Sequence, residues 1–242
     1  MTASPKGSSQ VRLDVGRHRI AAWADLLLDL VFPSRCAGCG HPGPVWCSPC
    51  SSRLGRIEGR LCERCGIPGH SQTSCRQPFA FPVRSYAHYR GPLVRALLHM
   101  KYRPNRELAD VMGSWLAAIV EREAWLPTLI VPVPLGPDRH WQRGYNQAGL
   151  IAASLAAKLD LPSSEAALIR IRETRSQVGL DGAARQRNVA GAFQARAEFL
   201  GSSLVCLVDD LCTTGATLMA CGEACLQAHA RGVYGLTVGR AG

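Results

Sequence analysis

The sequence predicts an α/β fold, a parallel sheet flanked by helices, preceded by a small zinc-ribbon-like module. Three observations carry that reading. Three C-x2-C pairs crowd into about 40 residues, at 36/39, 47/50 and 62/65. Beyond them, short apolar runs at 129–134, 204–208 and 233–238 alternate with helical patterns, the order that builds a parallel sheet covered on both faces. The clearest run, 204–208, leads directly into Asp209, Asp210 and a Thr-Thr-Gly-Ala-Thr turn.

Taken in order, residues 1–19 are polar and basic, with Ser, Gly and Pro early, and read as a disordered tail. Residues 20–31 set Ile20, Trp23, Leu27 and Leu30 at helical spacing, a short amphipathic helix. That stretch carries Asp25 and Asp29, stops at Pro33 and has no small-residue cleavage site after it. It therefore suits neither a membrane span nor a signal peptide, and a cytoplasmic protein is expected. Residues 20–80 are read as helix plus zinc module and 81–242 as the α/β domain. Within the latter, 83–89 reads as a strand and 93–100 as a helix, and Leu108, Val111, Trp115 and Ile119 mark a longer helix to about 123. The 129–134 run is a strand ended by Pro132 and Pro134, which cannot continue a ladder. A helix over 146–159, a buried strand over 204–208, a helix over 214–230 and a strand over 233–238 complete the domain.

Composition narrows the partners. The 242 residues are 47% apolar and 19% charged, an ordinary globular balance. A net charge of +10 favours a phosphate-bearing ligand or nucleic acid, while 6% aromatic content argues against a chain dominated by base-stacking platforms. The surplus is uneven, +9 over residues 1–110 and +1 over 111–242. Arg53, Arg56, Arg60 and Arg64 suit either a solvated surface or a phosphate backbone.

Seven of the 11 cysteines lie between 36 and 75. A C-x2-C turn points two thiolates at one tetrahedral ion, and a segment this short lacks an apolar core, so metal supplies its folding energy. Cys36, Cys39, Cys47 and Cys50 make one closed structural zinc site. Cys62, Cys65 and Cys75 are one ligand short, because Pro78 stands where a fourth C-x2-C cysteine would fall. Either His70 completes that set or the second site is empty, so one or two zinc ions are expected. Cys221 and Cys225 read as small core residues, and Cys212 as a core residue or a reactive thiol.

The acids at 209 and 210 sit where ligands bind in open α/β sheets, beyond the carboxyl end of a buried strand. Their desolvation asks for hydroxyl donors or a cation. The hydroxyl-and-glycine turn that follows opens a helix whose amides and dipole favour a phosphate. No GxGxxG or GxxxxGK[ST] occurs, against a dinucleotide oxidoreductase and a P-loop NTPase.

The stretch Val-Asp-Asp-Leu-Cys-Thr-Thr-Gly-Ala-Thr resembles the phosphoribosyl-pyrophosphate (PRPP) signature of type I phosphoribosyltransferases. With the cysteine module ahead of it, the chain resembles the ComF family of competence-associated proteins more closely still. Arg143-Gly-Tyr-Asn-Gln147, His99-Met-Lys101-Tyr and the run from Arg172 to Val189 fit that pattern. The resemblance implies a type I phosphoribosyltransferase-like sheet and PRPP bound with Mg2+. By it, Asp209 and Asp210 hold the ribose hydroxyls, and Thr213, Thr214, Gly215, Ala216 and Thr217 bind the 5′-phosphate. Pro134, Leu135 and Gly136 line the pyrophosphate site, with Arg143 and Asn146 near the ligand. Residues 169–188 are either a solvated loop or, by resemblance, a flap carrying Arg175, Gln177, Arg185 and Arg187 to the ligand.

Two functions follow from the resemblance. One is transfer of a 5-phosphoribosyl group to a nucleobase or amine acceptor with release of pyrophosphate, a glycosyltransferase reaction. The other is a non-catalytic protein of DNA uptake that handles single-stranded DNA alongside the uptake machinery, its PRPP pocket a sensor or relic.

Overall fold

The computed structural model describes residues 34–75, 79–172 and 188–241. The tail and the helix expected before residue 34 lie outside the described residues. In chain order the strands are β1 (Val83–His88), β2 (Leu129–Pro132), β3 (Leu168–Arg170), β4 (Phe193–Ala195), β5 (Leu204–Cys212) and β6 (Gly232–Arg240). The helices are α1 (Ser48–Ser52), α2 (Pro92–Tyr102), α3 (Arg106–Arg122), α4 (Pro137–Arg143), α5 (Gln147–Leu159), α6 (Ala197–Leu200) and α7 (Ala216–Gln227).

Four strands form one sheet in the order β1-β6-β5-β2, every neighbouring pair parallel. The period of two along β5 divides the core. Val205 and Leu207 face α7, whereas Cys206 and Val208 face the layer of α2, α3 and α5. Burial on both faces explains the near-continuous apolar run of 204–208. β3 and β4 pair antiparallel beside the α7 face, where Leu168 and Phe193 are buried. Among the described residues no helix is long and apolar enough to cross a membrane.

Two strand ends differ from the expectation. β5 does not stop at Val208: its ladder with β6 runs on through Asp209↔Thr237 to Cys212↔Arg240. The polar residues end the apolar run but not the pairing, because backbone groups make the ladder. β2 stops at Pro132, a residue that an edge strand tolerates, and Val133 N–H still donates to Val208 C=O at 2.9 Å. Helix α4 has no buried residue, so no apolar periodicity announces it.

The cysteine segment is docked on the sheet through its backbone. Ile57 N–H donates to Tyr86 C=O at 2.9 Å and His88 N–H to Gly55 C=O at 2.8 Å, so residues 55–57 cover the free edge of β1. Lower on the same strand, Val83 N–H donates to Arg64 C=O at 2.7 Å. Buried Arg84 donates to the carbonyls of Cys62 and Glu63 at 3.3 and 3.0 Å and pairs with Glu123 at 2.7 Å.

Candidate functional site

The cysteine segment contains the same turn twice. Cys36-Ala-Gly-Cys39-Gly40-His41-Pro42 and Cys62-Glu-Arg-Cys65-Gly66-Ile67-Pro68 both read C-x2-C-G-x-P. Each closes on matching hydrogen bonds: Cys36 N–H to His41 C=O and Gly40 N–H to Cys36 C=O, then Cys62 N–H to Ile67 C=O and Gly66 N–H to Cys62 C=O. Gly66 adopts φ +68°, and a side chain there would press on the Val83 carbonyl of β1.

Two groups of potential ligand atoms result. Cys36, Cys39, Cys47 and Cys50 form one, and Cys62, Cys65, His70 and Cys75 the other, with the ligand atoms of each within 4.8 Å of one another. A zinc–sulfur bond of about 2.3 Å implies a tetrahedron edge of about 3.8 Å. The Cys36–Cys50 and Cys39–Cys47 sulfur separations, 3.6 and 3.7 Å, fit that edge. In the second group Cys65 Sγ lies 3.2 Å from His70 Nε2, so His70 stands in the place left by the missing cysteine. The thiols show why an ion belongs there. Burial pushes Cys36 up, but backbone donors from Cys47, Cys39 and Gly38 outweigh it and lower this thiol to about 6. Cys50 is pushed up to about 12 by burial and by its neighbouring thiols. Only a cation at the centre lets all four ionise together.

At the carboxyl end of β5 lies a cavity of about 460 Å3. Asp209 and Asp210 both line it, with Thr213, Gly215, Ala216 and Thr217 from the turn and Pro134, Leu135, Arg143 and Asn146. Of the expected residues, Thr214 and Gly136 lie outside the lining. Thr214 Oγ1 instead accepts from Ala216 N–H at 3.4 Å, and Gly136 caps α4. Arg175, Gln177, Arg185 and Arg187 lie outside the described residues, as does Pro78.

The turn is shaped by close packing. Gly215 sits at φ +78° as the N-cap of α7, and a side chain there would enter the Phe79 ring. The N-cap Gly215 brings no side-chain cap of its own to α7, whose N-terminal turn lines the cavity with its positive dipole end. Asp210 N–H donates to Asp209 Oδ1 at 2.8 Å. Burial first, and then the Asp210 carboxylate, hold the Asp209 carboxyl well above its ordinary range, and Lys101 partly opposes this. Burial also pushes the Cys212 thiol up to about 11, which disfavours the thiolate a nucleophile needs.

Each residue of Arg143-Gly-Tyr-Asn-Gln147 has a visible task. Gln147 Nε2 donates to Asp210 Oδ2 at 3.3 Å, while its Oε1 accepts from Arg143 Nη1 at 2.9 Å. Gly144 closes α4, and Tyr145 donates its hydroxyl proton to the Met100 carbonyl, tying the turn to α2. Asn146 is engaged at both ends: its amide donates to Val133 C=O at 3.0 Å and its oxygen caps α5 through Ala148 N–H at 3.1 Å. These bonds hold it in the cavity wall.

Sequence reasoning missed four lining residues with charged or amide side chains, Lys101, Arg139, Gln147 and Arg170. Lys101 and Gln147 lay inside motifs already singled out. Arg139 and Arg143 stand four apart on α4, one face of one helix. Arg170 lies at the start of the 169–188 segment read as loop or flap, but it belongs to three-residue β3, too short a strand to show a pattern.

Known proteins resemble this chain in part or over most of its length. Residues 27–77 match the double zinc ribbon domain. Over 219 residues the chain is 32% identical to the DNA utilization protein YhgH of Escherichia coli strain K12, covering 84% of this chain and 96% of that protein. The chain belongs to the ComF family. It is 36% identical over 140 residues to Competence protein F of Haemophilus influenzae, covering 54% of this chain and 60% of that one. To Competence protein ComFC of Bacillus subtilis it is 28% identical over 191 residues, 73% of this chain and 76% of its relative. Among solved structures, glutamine PRPP amidotransferase from B. subtilis aligns with 58% of this ComF chain and 30% of its own, at 16% identity and a TM-score of 0.40. Adenine phosphoribosyltransferase from Leishmania donovani aligns with 68% of this chain and 74% of its own, at 15% identity and a TM-score of 0.36.

Proposed function

We propose that this ComF protein binds PRPP and transfers its 5-phosphoribosyl group to a nucleobase or amine acceptor, releasing pyrophosphate. One observation carries the reading: the two acids near the end of β5 share a cavity with a helix start whose N-cap is a glycine and with Lys101, Arg139, Arg143 and Arg170. A neutral sugar gives no use for four cations, and a simple polyphosphate gives none for two carboxylates. A phosphorylated ribose uses both. At about 460 Å3 the cavity is of ordinary size for such a ligand.

Asp209 and Asp210 accept from the ribose 2- and 3-hydroxyls, and the 213–217 turn holds the 5′-phosphate. As the bond from the anomeric carbon to pyrophosphate lengthens, positive charge grows on the ribose ring and negative charge on the leaving group. The carboxylates stabilise the first, and the lysine and arginines the second. Mg2+ bound with PRPP would supply further neutralisation of the pyrophosphate. Zinc is held by Cys36, Cys39, Cys47 and Cys50 and by Cys62, Cys65, His70 and Cys75, in a structural role away from the chemistry. A cytoplasmic location accompanies this reading, since reduced thiols suit that compartment.

Calorimetric titration with PRPP, with and without Mg2+, tests binding, and pyrophosphate release across a panel of nucleobases tests transfer. Mg2+-dependent saturation that disappears in Asp209→Asn with Asp210→Asn is expected. Unchanged affinity in that variant would sink the ribose assignment.

A groove of about 730 Å3 between α2 and the first cysteine turn favours a second reading, single-stranded DNA handling in uptake. Arg35, Arg95, His99 and Arg103 line it beside Tyr102, a residue that is 80% exposed. Guanidinium groups next to an open ring suit the phosphates and bases of a single strand. Affinity for an oligonucleotide should fall steeply with salt and drop in Tyr102→Ala with Arg103→Ala; a flat salt response removes this reading.

A further inference from the structure

The second cysteine turn and the 213–217 turn lie about 150 residues apart in sequence, Cys65 against Gly215, yet share one core through a short chain of contacts. Cys65 is a ligand candidate of the second group, and its carbonyl accepts from Arg240 Nη1 at 2.8 Å. Arg240 is 5% exposed at the end of β6, so this donor is committed inside the protein. Its guanidinium lies 5.7 Å from the centre of the Phe79 ring. Phe79 is 1% exposed, follows Cys75 by four positions, and fills the space where Gly215 would carry a side chain. Arg240 also pairs in register with Cys212, and the next residue, Ala241, donates to the Cys212 carbonyl at 2.9 Å. The leading flank of the turn, at Cys212, and its centre, at Gly215, are thereby reached from the second group.

Among the described residues the first group shows no such contact with the turn; the Cys39 carbonyl accepts instead from Arg95 of α2 at 3.3 Å. Val45 and Leu54 join the core on the opposite face of the sheet, and Ala37 and Trp46 pack against that same core. Cys62, Cys65, Phe79, Cys212, Ala216 and Leu218 belong instead to the core that holds α7.

We infer that Phe79 and Arg240 are positioning residues that brace the 213–217 turn against the second metal group, so that filling or emptying this group tunes anion binding in the cavity while the first group does not. The Gly215 backbone, at positive φ with no side chain of its own, relies on the ring behind it. Metal at Cys62, Cys65, His70 and Cys75 fixes the Cys65 carbonyl that orients Arg240, and fixes Cys75 at the start of the segment leading to Phe79. For its ligand, PRPP, the coupling rests on the function proposed above; for the turn itself it does not.

Variants of the full chain separate the two groups: His70→Ala with Cys75→Ser at the second, Cys39→Ser with Cys47→Ser at the first. Each should lose one of two zinc equivalents by elemental analysis. Hydrogen exchange at the amides of residues 213–217, read by mass spectrometry, is the direct measure. Emptying the second group should speed that exchange about tenfold and weaken PRPP binding with Mg2+ by a similar factor, with β2 amides unchanged. Emptying the first should leave both within about twofold. Phe79→Leu keeps all eight ligands and decides the matter even if the ligand variants fail to fold. It should retain both zinc equivalents and still raise turn exchange about fivefold. A turn unmoved in Phe79→Leu, or loosened equally by emptying either group, overturns the brace. Should the wild-type protein ignore PRPP while its turn loosens as expected, the phosphoribosyl reading fails and the brace stands.

Discussion

In the first cysteine turn, C-x2-C-G-x-P is completed by a second C-x2-C pair on α1, four sulfurs in all. Trp46 beside it meets Trp115 of α3 edge-on at 5.2 Å, and Trp115 in turn stacks on Tyr86 of β1 at 4.9 Å. In the second, the same turn is completed by a histidine and a lone cysteine, and its neighbours are Arg240, Phe79 and the start of α7. Two copies of one local motif thus serve opposite faces of one sheet. The difference teaches that a metal turn has no fixed role of its own; the surface it is docked on decides what its loss would disturb.

The comparison can be broken or sharpened from several directions. The largest effect should come from the cavity itself. Asp209→Asn with Asp210→Asn removes two charge-assisted hydrogen-bonding groups, each contributing about 1.5–3 kcal/mol. Calorimetry should show PRPP affinity falling at least about 100-fold, with both zinc equivalents retained. Zinc loss in that variant would mean that pocket and metal turns are not separable.

Next comes Cys50→Ser in the buried part of the first group. Its zinc should be lost, with a urea-unfolding penalty of about 3 kcal/mol or more, yet PRPP affinity should hold. A parallel fall in affinity would erase the distinction between the two turns. Gly215→Ala attacks the other side. Positive φ and the Phe79 ring both oppose the added methyl, for a cost of about 1–3 kcal/mol. PRPP binding should weaken without loss of zinc.

A pH series separates the cavity from the metal turns by charge. The folded Asp209 carboxyl sits well above its ordinary value, so the unfolded chain sheds this proton first. Stability contributed by the protonated form is full below about pH 4 and is lost as pH rises toward the folded value. Asp209→Asn lacks that slope, so its unfolding midpoint should gain on wild type as pH rises; a constant gap refutes the assignment. The smallest effect is expected for His70→Cys, which makes the second group resemble the first. Zinc should be retained and stability should change by less than about 1 kcal/mol, as read by thermal unfolding.

Much of the architecture was legible because it is written in short-range patterns. The strands 204–208 and 233–238 show as apolar runs, and α3 and α5 as apolar residues at helical spacing. The C-x2-C-G-x-P repeat was equally present, but its prolines, Pro42 and Pro68, gain meaning only as partners in the bridges Arg35↔Pro42 and Leu61↔Pro68. The extension of β5 through Cys212 was hidden, since the apolar run ends where backbone pairing does not. Helix α4 was hidden for a simpler reason: with no buried residue it has no apolar face to read. Asn146 was noticed as a ligand neighbour, and the structure shows it spending both polar groups on the Val133 carbonyl and the start of α5.

Sequence by itself determined the two metal turns, the alternation of strands and helices, and the run of two acids into a glycine turn. Each of these is specified within about ten residues, because ligand spacing, side-chain period and turn chemistry are local properties of the chain. Tertiary structure alone decided that Lys101, Arg139, Arg143 and Arg170, from three separate elements, gather around those acids, and that His70 completes the second metal group. It also decided which cysteine turn stands behind the 213–217 turn. Those facts depend on which face of the sheet each element covers, and that is set by packing between segments far apart in the chain, where no local pattern records the partner.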